Sequence, residues 1–224
     1  MRKGEEKRQE LLNAAERIFC QQGYEKTSVQ DILNETGLSK GGFYHHFSGK
    51  DEVLADLCSR RAMRAAAYTA DALNQAESPM GRINAVLRGF MPLRREEADF
   101  MAMLLPVMTK SEGRAVAMLY QDALEDDFLA LLKAEIAAAA AVQAVYPPVK
   151  DMEHVILNTV NHAWLTVASA MAAAKEHGQR MESAACLALL EKYRRAIELL
   201  LDAPYGSIEI LRVEEVEEVS RLIG

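Results

Sequence analysis

The sequence predicts an all-α protein, with a small N-terminal domain of three helices followed by a larger helical bundle. Alanine and leucine dominate the composition and runs of β-branched residues are rare, which favours helices over strands. Apolar residues recur every three or four positions along most of the chain, and prolines fall mainly between these segments. Hydrophobic residues make up 50% and charged residues 26% of the chain, as in globular proteins.

The periodic segments and their breakers predict about nine helices and a C-terminal tail. Predicted stops are Gly23, Gly37, Pro92, the Pro147–Pro148 pair and Pro204. The expected helices cover about 5–22, 27–36, 39–46, 49–76, 79–91, 96–107, 112–144, 150–176 and 182–202. In the tail, valines spaced by three predict an amphipathic helix, although residues 208–210 alternate like a strand. The tail is interpreted as a lid on its own subunit or, less simply, a partner-binding arm.

Residues 27–36 have the pattern of a short helix that ends in a tight turn. Thr27 and Gln30 have the spacing of a capping box, and Val29 and Ile32 give the helix an apolar side. Gly37 follows as a natural C-terminal residue, because glycine accepts positive φ without steric cost.

A second short helix follows the turn. Ser39 is its predicted N-cap, and Phe43 and Phe47, four residues apart, form its apolar side. Two short helices joined at a glycine, with the second polar on its outer side, describe a helix-turn-helix. The outer side carries Lys40, Gly41, Gly42, Tyr44, His45 and His46.

The charge distribution favours a nucleic-acid partner for this motif. Residues 36–50 contain no acid but hold two lysines and two histidines, although the whole chain has a net charge of −7. Residues 1–64 carry 11 basic and 10 acidic side chains, whereas the other 160 carry 15 and 23. A local gap in the acidic residues suits a phosphate backbone.

The stretch LLNAAERIFCQQGYEKTSVQDILNETGLSKGGFYHHFSGKDEVL resembles the N-terminal DNA-binding domain of the TetR family of transcriptional regulators, over roughly residues 7–57. Leu33 and Thr36 depart from it, because alanines are usual there. The resemblance implies a DNA-binding domain over 1–48, an effector-binding and dimerisation domain over 49–206, and an extension over 207–224. The matching residues are Leu12, Ala14, Ala15, Phe19, Gly23, Thr27, Val29, Ile32, Gly37, Ser39, Tyr44, Phe47 and Lys50.

Several residues of the motif are candidates for DNA contact. Gly41 and Gly42 lack side chains, which lets the second helix approach base edges, and Lys40 is suited to guanine O6 and N7. The resemblance implies a phosphate contact for Tyr44. Positioning contacts are predicted at helix starts: Thr27, Ser28, Ser39 and Lys50, which follows a second cap-like signature, Ser48 to Asp51. His45 is assigned to a phosphate or a base, and His46 stays open.

The effector site implied by the resemblance is predicted where methionines and aromatic residues cluster. Flexible, polarizable side chains suit an apolar ligand, although ordinary core packing explains any single one of them. Asn158, Asn161 and His162 form a polar group beside Trp164 that orients a ligand or lies in a dimer seam. The predicted ligand residues are Phe90, Phe100, Met101, Met103, Tyr120, Asn161 and Trp164.

The eighth and ninth predicted helices are rich in alanine, which allows close packing. The resemblance implies that these two helices form a four-helix bundle between subunits, although a self-contained core shows the same stripe. The predicted interface residues are Ala168, Ala172, Leu187, Ala188 and Tyr193.

These features favour a repressor that binds a palindromic DNA operator as a homodimer and is released by a small organic effector. The alternative is a DNA-organising or adaptor protein with the same motif and no ligand. No enzyme is expected, because phosphate-cradling and nucleophile motifs are missing; His154 and His162 make a weak metal pair, and no cofactor or metal is predicted. No apolar run reaches eighteen residues and no signal-peptide core is evident, so a cytoplasmic protein without membrane contact is expected. Three scattered cysteines are interpreted as reduced thiols, with a redox switch as the alternative.

Overall fold

The computed structural model describes residues 3–91, 97–108 and 114–217; within these ranges, the side chains of residues 3, 98, 105, 106, 108, 114–121 (which include Tyr120), 126, 172, 175 and 176 lie outside the described residues. No strand occurs in this part of the chain, so the predicted all-α fold is confirmed. The helices are α1 (Lys3–Gln22), α2 (Val29–Thr36), α3 (Lys40–Tyr44), α4 (Lys50–Gln75), α5 (Pro79–Phe90), α6 (Ala98–Met108), α7 (Arg114–Ala141), α8 (Glu153–Glu176), α9 (Ser183–Leu201) and the short α10 (213–217).

Contacts divide the chain into two compact units. The first unit comprises Met1–Ala62 and Asp99–Ala123, and the second comprises Met63–Ala98 and Leu124–Gly224. These units are defined by packing alone, so the predicted functional division at residues 48 and 206 stays a prediction. Among the described residues, no helix combines the length and the apolar character needed to cross a membrane.

The core of the first unit holds the two helices of the motif in place. Helix α1 packs on α2, and Phe19 and Ile32 are fully buried. Phe43 of α3 and Phe47 just after it are also buried, with their ring centroids 5.9 Å apart. The predicted apolar side of the second short helix therefore faces the core, which leaves its polar side outward.

Ser28, rather than the predicted Thr27, caps α2. The Ser28 hydroxyl oxygen accepts from the Asp31 amide at 3.2 Å, and Asp31 Oδ2 accepts from the Ser28 amide at 2.7 Å. Thr27 is 2% exposed, and its hydroxyl donates to the Gly23 carbonyl oxygen at 2.8 Å. Both threonine and serine have a polar residue three positions later, so burial of the Thr27 side chain decides which of them caps the helix.

The turn and the second short helix follow the sequence pattern closely. Gly37 adopts a left-handed conformation with φ of 65°, and the Ser39 hydroxyl accepts from the Gly42 amide at 3.1 Å. Helix α3 ends at Tyr44, earlier than the predicted His46. At the start of α4, the Ser48 amide donates to Glu52 at 2.7 Å, so Glu52 and not the predicted Asp51 completes that cap.

The second unit is a bundle in which α8 packs against both α5 and α9. The hydroxyl groups of Thr166 on α8 and Tyr193 on α9 lie 2.7 Å apart. Arg82 on α5 donates to both carboxylate oxygens of Glu135 on α7, each at 2.7 Å. Such two-point ion pairs fix the relative position of helices more strictly than apolar contacts do.

Helix α7 ends at Ala141, before the predicted stop at residue 144. Gln143 takes a left-handed conformation with φ of 60°, and the Ala144 amide donates to the Ala139 carbonyl oxygen at 2.9 Å. This backbone turn closes the helix, so the Pro147–Pro148 pair lies in the following loop.

Residues 207–211, named the strap here, pack on α5 and α9 of the same unit. Ile208 and Ile210 are fully buried, as the strand-like alternation predicts, whereas Glu209 points outward and meets Arg88 at 2.6 Å. Asn84 of α5 binds the strap backbone at two points. Its Nδ2 donates to the Ser207 carbonyl oxygen at 2.8 Å, and its Oδ1 accepts from the Glu209 amide at 3.0 Å.

Helix α9 holds the other side of the strap. Arg194 donates to the Ile208 carbonyl oxygen at 2.8 Å, and the buried Glu198 carboxylate accepts from the Gly206 amide at 2.7 Å. The described part of the tail is therefore a lid on its own chain. Of the predicted tail helix, Val216 is buried, Val213 is exposed, and residues 218–224 lie outside the described residues.

We expect Asn84→Ala to lower the free energy of unfolding by about 1–3 kcal/mol, because two backbone groups of the strap would lose the buried Asn84 amide as their hydrogen-bond partner. Urea denaturation measures this change, with Asn74→Ala, at an exposed position of α4, as the matched control. Deleting residues 207–224 should remove most of the effect of Asn84→Ala. An equal effect of Asn84→Ala in the deleted chain would show that the strap is not its partner.

Candidate nucleic-acid interface

Helix α3 presents a polar surface that the fold of the first unit leaves uncovered. Lys40, Gly41 and His45 are exposed, and His46 is partly exposed. Tyr44 is 49% exposed and its ring lies edge-on to that of Phe43, with 5.4 Å between centroids. This surface combines a flexible cation, a phenol hydroxyl and an imidazole, which are groups that contact phosphates or base edges.

The two glycines of α3 are not required by the protein's own packing. A Cβ atom added at Gly41 would meet nothing within 4 Å, and one at Gly42 would meet only Ser39 Oγ at 3.4 Å and Leu38 Cδ2 at 3.7 Å. Neither glycine has a positive φ. Glycine in a helix costs roughly 0.5–1 kcal/mol relative to alanine, so an external partner is the better explanation for this bare stretch of surface.

The start of α2 offers one exposed and one buried hydroxyl group. Ser28 is exposed, but its hydroxyl and amide both pair with Asp31. The hydrogen bond from the Ser28 hydroxyl lowers the pKa of the Asp31 carboxyl, so this carboxylate stays charged at neutral pH. The Thr27 hydroxyl donates to the Gly23 carbonyl oxygen inside the unit. Contrary to the prediction, the Thr27 side chain is therefore not presented to DNA.

Lys50 has different surroundings from those predicted. Its Nζ donates to the carbonyl oxygens of Tyr24 and Thr27, each at 3.1 Å, and to that of Glu25 at 3.5 Å. It also lies 4.4 Å from the centroid of the Tyr24 ring. A lysine at a helix start was predicted to meet a phosphate, but here its donors point into the loop between α1 and α2.

Tyr24 completes this arrangement from the other side. Its hydroxyl donates to the Asp51 carboxylate, and its ring stacks edge-on with Phe19 at 5.1 Å. Burial, followed by the hydrogen bond to Asp51, raises the pKa of the Tyr24 phenol, so the phenol stays protonated. No sequence motif signalled this pairing, because the two residues lie 27 positions apart.

The predicted ligand residues fall in both units. In the first unit, Phe100, Met101 and Met103 are 1%, 2% and 7% exposed. The Arg61 guanidinium carbon lies 3.7 Å from the centroid of the Phe100 ring, and Arg61 Nη2 forms an ion pair with the Glu16 carboxylate. The side chain of the predicted Tyr120 lies outside the described residues.

In the second unit, Trp164 is 2% exposed, and its indole Nε1 donates to Asn161 Oδ1 at 2.8 Å. Phe90 packs edge-on against Phe128, with 5.4 Å between ring centroids. Asn158 and His162, predicted to form one polar group with Asn161, are exposed. The oxygen of the Asn161 amide therefore accepts a hydrogen bond from the tryptophan of its own helix.

A cleft of about 290 Å³ opens elsewhere in the second unit, and none of the predicted ligand residues lines it. Its walls are mainly apolar, from Ile136, Pro147, Met152 and Leu201.

His154, one residue of the weak metal pair suggested by the sequence, places its Nδ1 atom 2.8 Å from Glu125 Oε1.

The predicted interface residues differ in accessibility. Ala188 on α9 is exposed, and Leu187 and Tyr193 are partly exposed. Ala168 is 4% exposed because it is buried in its own chain. Contrary to the prediction, it therefore offers no surface to a second subunit. Ala172 has a side chain outside the described residues.

A helix-turn-helix followed in the chain by a larger helical unit is an architecture of the class of DNA-binding proteins. Residues 11–57 match the family model for bacterial regulatory proteins of the tetR family. Residues 11–57 are therefore a TetR-family DNA-binding domain, and the resemblance predicted for this region is confirmed.

Curated relatives match this chain over a short stretch. The HTH-type transcriptional repressor AcnR of Corynebacterium diphtheriae is 37% identical over 65 residues, which is 29% of this chain and 34% of AcnR. The uncharacterized HTH-type regulator YerO of Bacillus subtilis is 38% identical over 53 residues, 24% of this chain and 18% of YerO. The shared stretch thus spans about a third or less of these two relatives.

Solved structures share the fold over most of their length, and one of them serves as an example. The transcriptional regulator FadR from Bacillus subtilis, determined in complex with stearoyl-CoA, superposes with a TM-score of 0.60 at 12% identity, over 88% of this chain and 99% of FadR. At this identity the likeness establishes the fold alone.

Proposed function

We propose that the protein is a transcriptional repressor that binds a palindromic DNA operator as a homodimer and releases it when a small organic effector binds. The observation that carries the proposal is the bare, acid-free surface of α3, where Gly41 and Gly42 leave space that the protein itself does not use. The TetR-type domain over residues 11–57 and the name of AcnR as a repressor support this reading.

The homodimer part of the proposal follows from groove geometry. A helix of five residues, such as α3, covers only a few base pairs, too few for a specific site. Two copies related by a twofold axis read two inverted half-sites, whose centres lie about 10 base pairs apart or at a multiple of that spacing. Exposed alanines on α8 and α9, including Ala188, supply a surface for the twofold contact.

Selection of bound sequences from a random double-stranded DNA library tests the DNA-binding part. The full-length protein should enrich two inverted half-sites at a fixed spacing. The same selection with Gly42→Leu, which alters only the surface of α3, should enrich nothing. Enrichment of a single unpaired site would contradict the palindromic dimer, and no enrichment by the native protein would contradict operator binding.

The effector part of the proposal draws on the second unit and on FadR, whose solved structure contains stearoyl-CoA. Trp164 is the only tryptophan of the chain, so its emission reports on that unit. Compounds identified by native mass spectrometry of the purified protein should release the operator and shift the Trp164 emission. Asn161→Leu should lower the affinity most for compounds with a polar head, because Asn161 provides the amide next to Trp164.

Two controls separate ligand contact from structural damage. Trp164→Phe removes the indole donor to Asn161 without changing the amide, and urea denaturation of both variants measures any loss of stability. A compound that releases DNA without altering Trp164 emission would move the effector site, with the cleft lined by Ile136 and Leu201 as the next candidate. Failure of every co-purified compound to release DNA would favour a DNA-organising protein without a ligand.

A further inference from the structure

The side chain of Lys50 lies against the backbone of the loop that connects α1 to α2. Its ammonium group has three N–H donors. Three carbonyl oxygens accept them, those of Tyr24 and Thr27 at 3.1 Å and that of Glu25 at 3.5 Å. The Tyr24 ring covers the group at 4.4 Å from its centroid. The arrangement, named the Lys50 clamp here, uses every donor that the ammonium has.

The loop held by the clamp sets the start of α2. Thr27 directly precedes Ser28, the N-cap, and the Thr27 hydroxyl is bound back to the Gly23 carbonyl oxygen. Because the clamped carbonyls all lie within the few residues before the cap, the clamp fixes where α2 begins. Lys50 is itself the first residue of α4, so one side chain joins the starts of two helices.

We infer that Lys50 is a positioning residue, which orients the helix-turn-helix by holding the α1–α2 loop and does not itself bind a DNA phosphate. A phosphate contact would require the ammonium to give up its hydrogen bonds to three converging carbonyl oxygens, so that water would have to replace it between them. This inference rests on the proposed DNA binding for its DNA readout only. The clamp itself is a property of the free protein.

Salt dependence distinguishes a positioning residue from a phosphate contact. Each phosphate contact contributes about 0.9 to the slope of log K against log salt concentration, whereas misplacement of the motif lowers affinity without removing a counterion-releasing charge. We therefore expect Lys50→Met to weaken operator binding by about tenfold or more with an unchanged slope. Lys40→Met, at an exposed lysine of α3, serves as the phosphate- or base-contacting control and should lower the slope by about one.

Two readouts need no DNA, so they remain informative even if the proposed function fails. Urea denaturation should show a lower midpoint for Lys50→Met than for Lys26→Met, the same change at an exposed lysine of the same loop. In NMR spectra of the native protein, the Nζ protons of Lys50 should exchange with water more slowly than those of Lys26. Native-protein exchange also covers the case in which Lys50→Met does not fold.

Lys50→Arg gives a further separation. The planar fork of a guanidinium suits a phosphate but does not match three carbonyl oxygens that converge on one point, so this variant should bind the operator more weakly than the native protein. A slope reduced by about one in Lys50→Met, or native affinity in Lys50→Arg, would overturn the inference. Rapid exchange of the Lys50 Nζ protons in the free protein would do the same.

Discussion

Gly42→Leu is expected to abolish specific operator binding while the protein stays folded. A Cβ atom at this position meets two side-chain atoms at 3.4 and 3.7 Å, which is ordinary van der Waals contact, so the fold accepts it. Replacing a helical glycine also removes roughly 0.5–1 kcal/mol of entropic cost, which favours a stable variant. The rest of the leucine extends from the polar surface of α3, where a base edge must approach.

The expected loss is large because specific binding exceeds non-specific binding by about 10³-fold or more, and a displaced helix forfeits all of that difference. Fluorescence anisotropy with operator and scrambled duplexes measures it, and thermal unfolding checks the fold. Gly4→Leu is the matched control, because a Cβ at Gly4 meets nothing within 4 Å and Gly4 lies in the first turn of α1, away from α3 in sequence. Native operator affinity in Gly42→Leu would mean that another element enters the groove.

Ala188→Arg is expected to convert the proposed dimer into a folded monomer. The side chain of Ala188 is exposed in the single chain, so the subunit itself accommodates an arginine. Other exposed positions on α8 and α9 are also small or apolar: Ser169, Ala173, Ala184, Ala185 and Leu199. An unpaired charge buried between two such surfaces costs several kcal/mol, which raises the dimer dissociation constant by about a hundredfold or more.

Sedimentation velocity at micromolar concentration measures the change in mass. Ala138→Arg introduces the same side chain at an exposed alanine of α7 and should leave the dimer intact. If Ala188→Arg sediments as a normal dimer, the interface lies on other helices. If Ala138→Arg alone dissociates, α7 carries the interface.

Most of the helix boundaries could be predicted because they depend on residues close in sequence. Ser78 and Pro79 start α5 and Gly37 ends α2, as expected from capping and backbone preferences. The choice between Thr27 and Ser28 could not be predicted, because it depends on which side chain the rest of the first unit buries. The early end of α7 at Ala141 could not be predicted either, because the turn that ends the helix needs a positive φ at Gln143 and glutamine rarely adopts one.

The candidate interface was predictable in composition but not in every contact. The outward side of α3 followed from the burial of Phe43 and Phe47, which their spacing of four residues indicated. The position of Lys50 did not, because convergence of three backbone carbonyls leaves no trace in side-chain identity. The burial of Ala168 could not be predicted either, because a stripe of alanines has the same sequence pattern whether it packs within one subunit or between two.

The strap has a consequence for how the protein is made. Asn84 lies 123 and 125 residues before the two backbone groups that it binds. Its amide therefore lacks these partners while the ribosome adds more than half of the chain. Helix α5 can form early, but its buried face is completed only after residues 207–209 have emerged. A product of premature termination before this point leaves the Asn84 amide and the apolar surface under the strap open to water, and exposed apolar surface is a feature by which proteases distinguish incomplete chains. The strap thereby links the survival of the second unit to complete translation as far as residue 211.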